Sequence, residues 1–99
     1  MILGWVVKTA IDLLEKLISD SQNNFLKEEV DRLPKGLQYS DLKIEYKYTN
    51  IFVNNIDREF PYFRISLRLV HPKTGIGIYY YDVDYNIDGE FSDEYFSRC

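Results

Sequence analysis

The sequence predicts an α+β fold, in which an N-terminal helix or two helices pack on a three- to four-stranded antiparallel meander sheet. In residues 2–33 apolar side chains recur at spacings of three and four, which is typical of helices. In residues 39–96 the apolar spacing changes to two, which is typical of strands. No repeat or linker interrupts the 99 residues, so residues 1–99 are predicted to form a single domain.

The first helix is predicted from residue 2 to about residue 20. One face of this segment is apolar and contains Val7, Ala10, Leu14, Leu17 and Ile18. Trp5 is expected in the core beside this face.

The polar run at residues 19–24 favours a break in the helix, because its side chains compete for backbone hydrogen bonds. Asn24 then caps a second, shorter helix that ends at Pro34 and Gly36. One long helix that continues to Leu33 is the alternative.

Four strand-like segments follow. Alternation from Leu42 to Tyr48 predicts the first strand, and a change of parity at Asn50 indicates a bulge there or a turn between two short strands. Residues 54–57 resemble a loop. Residues 62–85 predict a hairpin around a turn at 71–75, a second turn follows at 86–89, and residues 91–96 predict a short edge strand.

The negative charge of the chain is concentrated near its C-terminus. Residues 1–80 contain 11 basic and 10 acidic side chains, whereas residues 81–99 contain one basic and six acidic side chains. Strand alternation places Asp82 and Asp84 on one face, with a row of tyrosines on the other. At least one of Tyr79 and Tyr80 is expected to be partly exposed.

Carboxylates beside aromatic rings suit a basic protein partner, because charge steers the encounter and rings supply contact area. An acidic edge that protects the sheet against aggregation explains the same pattern equally well. The predicted partner-binding residues are Tyr80, Asp82, Asp84, Asp88, Glu90, Asp93, Glu94 and Tyr95.

Several other functions are disfavoured by the composition. Dispersed Lys and Arg residues disfavour nucleic-acid binding, since phosphate contacts need clustered positive charge. The only His, His71, precedes a proline in a turn, and the only Cys, Cys99, ends the sequence, so we expect no catalytic residues, no metal ligands and no cofactor. Lys8 and Asp12 interrupt the apolar N-terminal stretch, which favours a cytoplasmic protein over a secreted or membrane-spanning one.

The sharpest local pattern is at residues 84–92, which match the first nine positions of an EF-hand calcium loop. The match fails at the twelfth position, where Tyr95 replaces the bidentate glutamate. Asn and Asp before Gly89 are equally typical of a hairpin turn. A small calcium-binding domain is therefore kept only as an alternative.

A helical start, a Tyr-rich sheet and the acidic segments Tyr80–Asp84 and Asp93–Phe96 make the chain similar to bacterial toxin-immunity proteins. Such proteins include the partners of contact-dependent growth-inhibition toxins and of nuclease colicins. The resemblance implies a cytoplasmic inhibitor that binds a cognate toxin, here a basic nuclease domain. A phage-encoded nucleic-acid mimic that inhibits a host enzyme is the alternative, and the oligomeric state is left open.

Overall fold

A computed structural model, which describes residues 2–53 and 60–99, confirms the predicted α+β fold. One long helix, α1 (Ile2–Ser19), packs on a four-stranded antiparallel sheet. The described strands are β1 (Lys43–Phe52), β2 (Tyr62–Val70), β3 (Gly77–Asn86) and β4 (Phe91–Arg98). Their order in the sheet is β1-β2-β3-β4, which is the predicted meander.

α1 ends at Ser19, within the polar run of residues 19–24 that predicted a break in the helix. Short 3₁₀ helices follow at Ser21–Asn23 and Phe25–Arg32, so the alternative of a single helix that continues to Leu33 is wrong. The side-chain oxygen of Asn24 accepts a hydrogen bond from the Leu26 N–H at 2.9 Å, as expected of a capping residue. The Asn24 amide also donates to the Leu17 carbonyl at 2.9 Å, which fastens the second segment to the end of α1.

The bulge in β1 lies earlier than the sequence indicated. Pairing with β2 shifts register between Tyr46 and Tyr48, whereas the prediction placed the irregularity at Asn50. The extra residue, Lys47, changes the parity of everything after it, so Ile51 shares a face with Ile44. The predicted loop at 54–57 lies outside the described residues.

The two faces of the sheet differ in what they contact. We call the face under α1 the helix face, and its residues on β2 and β3 form the core together with Val6, Ala10 and Leu14. These sheet residues are Phe63, Ile65, Leu67, Leu69, Tyr79, Tyr81, Val83 and Tyr85. The opposite face, called the open face, contains the alternating residues such as Arg64, Ser66, Asp82 and Asp84.

Both predicted turns connect antiparallel strands. In the first, the His71 N–H donates to the Ile76 carbonyl at 2.9 Å, and Gly75 has a φ of 73°. In the second, the Asn86 N–H donates to the Glu90 carbonyl at 2.9 Å, and Gly89 has a φ of 88°. Such positive φ values favour glycine. β4 then extends to Arg98, slightly beyond the predicted edge strand.

Among the described residues, no helix has the length and apolar character that a membrane crossing requires.

Candidate interaction surface

The predicted partner-binding residues all lie on one element, which we call the acidic hairpin: β3, β4 and the turn between them. The register pairs Asp84 with Asp93 and Asp82 with Tyr95, which brings these four side chains together on the open face near Tyr80. Asp88 and Glu90 lie in or beside the turn and are exposed. Glu94 pairs with Val83 and therefore lies on the helix face. The hairpin thus presents carboxylates on both faces and at its tip.

Asp84 is a buried ion-pair partner rather than an exposed contact residue. Its side chain is 0% exposed, and its carboxylate accepts bonds from Arg64 Nε at 2.7 Å and Nη2 at 3.0 Å. The hydrogen bond to Asp84 raises the pKa of Arg64 above its ordinary value. Rings of Phe52 and Tyr95 lie with their centres 5.2 Å from the guanidinium carbon. This geometry is favourable for a cation beside aromatic faces.

Asp82 is half-buried on the same face. It accepts a hydrogen bond from the Ser66 hydroxyl at 2.6 Å. Farther across the sheet, Arg68 pairs with Glu45 at 2.6 Å, and both side chains remain substantially exposed. Both described arginines of the open face are therefore held in ion pairs, and Asp82 forms no salt bridge with a basic side chain of residues 2–53 and 60–99.

Glu94 touches the core from the edge of the helix face. The buried Tyr81 hydroxyl donates a hydrogen bond to Glu94 Oε2. Burial, followed by this bond to a carboxylate, raises the pKa of Tyr81. Glu94 itself is half-buried.

The tyrosine row of β3 belongs to the core. Tyr79, Tyr81 and Tyr85 are buried beneath the helices, and the Tyr85 hydroxyl is 2.9 Å from the Thr9 hydroxyl. Tyr80 is half-exposed on the open face, as expected for one of the pair Tyr79 and Tyr80. Tyr95, at 41% exposure, is the other predicted anchor that a partner can contact.

Trp5 was expected in the core, and that prediction is wrong: its side chain is 58% exposed. Trp5 lies on the same face of α1 as Thr9, Asp12 and Lys16. This face is turned away from Val6 and Ala10, which belong to the core. The polar residues on this face can be identified from the sequence, and they are the signal that the core prediction for Trp5 overlooked. Trp5 instead lines a shallow surface groove of about 570 Å³ between α1 and the acidic hairpin, together with Glu90 and Phe91.

The stretch that resembles a calcium loop forms the β3–β4 turn. Asn86 Oδ1, which would be a calcium ligand in that comparison, accepts hydrogen bonds from the N–H groups of Asp88 at 3.0 Å and Glu90 at 2.9 Å. Within residues 2–53 and 60–99, no three His, Cys, Asp or Glu side chains are grouped closely enough to hold a metal ion. The asparagine here stabilises a turn in the way that side-chain amides commonly do.

Salt bridges separate the acids of the hairpin into two kinds. Asp84 is neutralised by Arg64, whereas four others have no basic side chain within salt-bridge distance among the described residues: Asp82, Asp88, Glu90 and Glu94. The exposed aromatic rings of Phe91 and Tyr95 lie on β4, the strand that also contains Glu94.

Comparisons of the chain with protein-family profiles, with curated proteins and with solved structures find no match.

Proposed function

We propose that this protein is an inhibitory binding protein that neutralises a basic protein domain, as an immunity protein neutralises a nuclease toxin. It acts in the cytoplasm by association alone, without catalysis and without a cofactor. The observation that supports this proposal is the acidic hairpin. Four of its carboxylates form no salt bridge among the described residues, and the exposed rings of Phe91 and Tyr95 lie on the same hairpin.

Electrostatics favours a basic partner. A surface with one sign of charge accelerates association with an oppositely charged protein by about 10- to 1,000-fold at low salt. A nuclease domain is basic around its cleft because its substrate is a polyanion. An acidic inhibitor can therefore occupy the region that the nucleic acid would occupy, and block it.

Aromatic side chains complete the binding surface. Tyr95 and Phe91 offer rigid apolar area at a small cost in conformational entropy, since each has only two side-chain torsions. Contact area of this kind sets the lifetime of a complex, whereas the carboxylates set its rate of formation. The hairpin provides both properties on one element.

The first test identifies the partner and measures inhibition. The purified chain is immobilised, bound proteins are identified by mass spectrometry, and each candidate is expressed and assayed for nuclease activity with and without the chain. We expect a basic protein whose nuclease activity is abolished at equimolar inhibitor. A partner with an acidic surface at the contact would refute the proposal.

Two charge-matched variants then locate the surface. Asp88→Asn/Glu90→Gln removes two charges from the hairpin, and Glu15→Gln/Glu28→Gln removes two exposed charges from the helices. We expect the hairpin variant to associate about 10-fold more slowly at low salt, with a flatter salt dependence. The helix variant should match the unmodified chain, and equal effects of the two variants would contradict the assignment of this surface.

A further inference from the structure

A continuous groove runs along α1 beside the acidic hairpin. The pocket of about 570 Å³ at Trp5 adjoins a second of about 270 Å³ toward the end of the helix, and both are lined by Leu13, Lys16 and Phe91. The groove extends from Trp5 along α1 to its end at Ser19 and is also lined by Asp20, which directly follows the helix. Fifteen residues of helix correspond to about 22 Å at a rise of about 1.5 Å per residue.

Its floor is apolar and partly aromatic. Phe91 is 53% exposed, and it faces Trp5 across the groove, with Leu13 and Leu17 on the helix. Trp and aromatic side chains are the residue types most often found as energetic centres of protein interfaces. An exposed apolar floor of this kind is typical of a surface that a partner covers.

Its rim is acidic. The charged side chains that line the groove are one lysine, Lys16, and four carboxylates: Asp12, Asp20, Glu90 and Glu94. A second copy of the chain would bring carboxylates against carboxylates, which is unfavourable. The occupant that complements this rim has Lys or Arg residues on either side of an apolar strip.

Main-chain pairing at the free edge of β4 is obstructed. The Glu94 N–H donates to Asp93 Oδ1 at 2.8 Å, and the register of β3 with β4 shifts where Phe91 pairs with Tyr85. Capped amides and bulges are features that discourage the addition of another strand. A helix binds through side chains alone and does not need this edge.

We propose that this groove docks a cationic amphipathic helix of about four turns, supplied by the protein partner. Apolar residues of that helix pack between Trp5 and Phe91, and its Lys or Arg residues reach Asp12 and Glu90 on the two sides. The identity of the partner rests on the proposed function, whereas the chemistry of the groove does not.

The tryptophan provides a direct readout, because Trp5 is the only tryptophan in the chain. The probe is a Trp-free 16-residue peptide with leucines on one helical face and lysines on the other. Its counterpart has glutamate in place of every lysine. Docking should shift the Trp5 emission to shorter wavelength with the lysine peptide and leave it unchanged with the glutamate peptide.

Variants then test the two parts of the groove. Asp12→Asn and, separately, Phe91→Ser should each lower the affinity for the lysine peptide at least about 10-fold. Glu15→Gln/Glu28→Gln should bind it as the unmodified chain does. The proposal is overturned by equal emission shifts with both peptides, by no shift with either, or by unchanged affinity in Asp12→Asn.

The same variants separate this inference from the proposed function. A basic partner that is inhibited equally by the unmodified chain and by Asp12→Asn/Phe91→Ser would refute the groove as the docking site and leave the proposed function standing. Binding of the lysine peptide in the expected pattern, without any basic nuclease partner, would support the groove and refute the proposed function.

Discussion

Alkaline pH is expected to unfold this protein, because four tyrosines are buried with their hydroxyl groups. Tyr39, Tyr79, Tyr81 and Tyr85 are all nearly inaccessible to solvent. Burial is the largest cause that raises the pKa of each above its ordinary value of 10.0. Above that pH the unfolded chain binds fewer protons than the native protein, so the free energy of unfolding falls as the pH rises.

The expected magnitude follows from proton linkage. Each buried tyrosine lowers the free energy of unfolding by about 1.4 kcal/mol per pH unit between its unfolded and native pKa values. At pH values where all four tyrosines are protonated in the native protein and ionised in the unfolded chain, the free energy of unfolding falls by about 5.5 kcal/mol per pH unit. A domain with a total stability of about 5–15 kcal/mol should then unfold within about one to three pH units above 10.

Urea unfolding followed by circular dichroism, repeated at intervals from neutral pH upward, measures this slope. Tyrosinate absorbance recorded on the same samples should rise together with the loss of structure, since ionisation and unfolding are coupled. Tyr81→Phe removes one of the four hydroxyls and should reduce the slope to about 4 kcal/mol per pH unit. A free energy of unfolding that stays constant from about pH 9 to 11 would refute the burial of these hydroxyls.

Two further predictions concern stability at neutral pH, measured by urea unfolding. Arg64→Met should cost about 2–4 kcal/mol because it deprives the buried Asp84 carboxylate of two charged hydrogen bonds. Arg68→Met, which breaks an exposed ion pair, should cost less than about 1 kcal/mol, and similar losses in both would contradict the burial difference. Asn24→Ala should cost about 1 kcal/mol or more, because it removes both the bond from the Leu26 N–H and the bond to the Leu17 carbonyl, and an unchanged midpoint would show that neither bond contributes to stability.

Local signals predicted most of the fold. The end of α1, the cap at Asn24 and both hairpin turns depend on residues within a few positions of one another, and the structure confirms each of them. The bulge was misplaced for a physical reason. Alternation reveals that parity has changed by Ile51, but tyrosines at both 46 and 48 suit either face, so the sequence does not locate the extra residue.

Predictions that depended on long-range packing were less reliable. Trp5 is large and apolar, but its position on α1 is decided by which face the sheet covers, and the covered face is centred on Val6, Ala10 and Leu14. Strand alternation placed Asp84 on the correct face. Its pairing with Arg64 requires the register of β2 with β3, which shifts by one residue between Leu69 and Val70. Alternation alone therefore could not separate a buried carboxylate from an exposed one.

The arrangement of acids around the groove favours a binding surface over simple protection of a sheet edge. Protection accounts for acidic side chains on β4, including the capped amide at Glu94, because those groups lie at the edge itself. It does not account for Asp12 on α1 or for Asp20 directly after that helix, which line the groove opposite the hairpin. Nor does it account for Trp5, since an exposed indole increases the tendency to aggregate that edge protection would reduce. Carboxylates from two separate parts of the chain therefore surround the same exposed aromatic floor, and this arrangement is what the proposal of a cationic partner rests on.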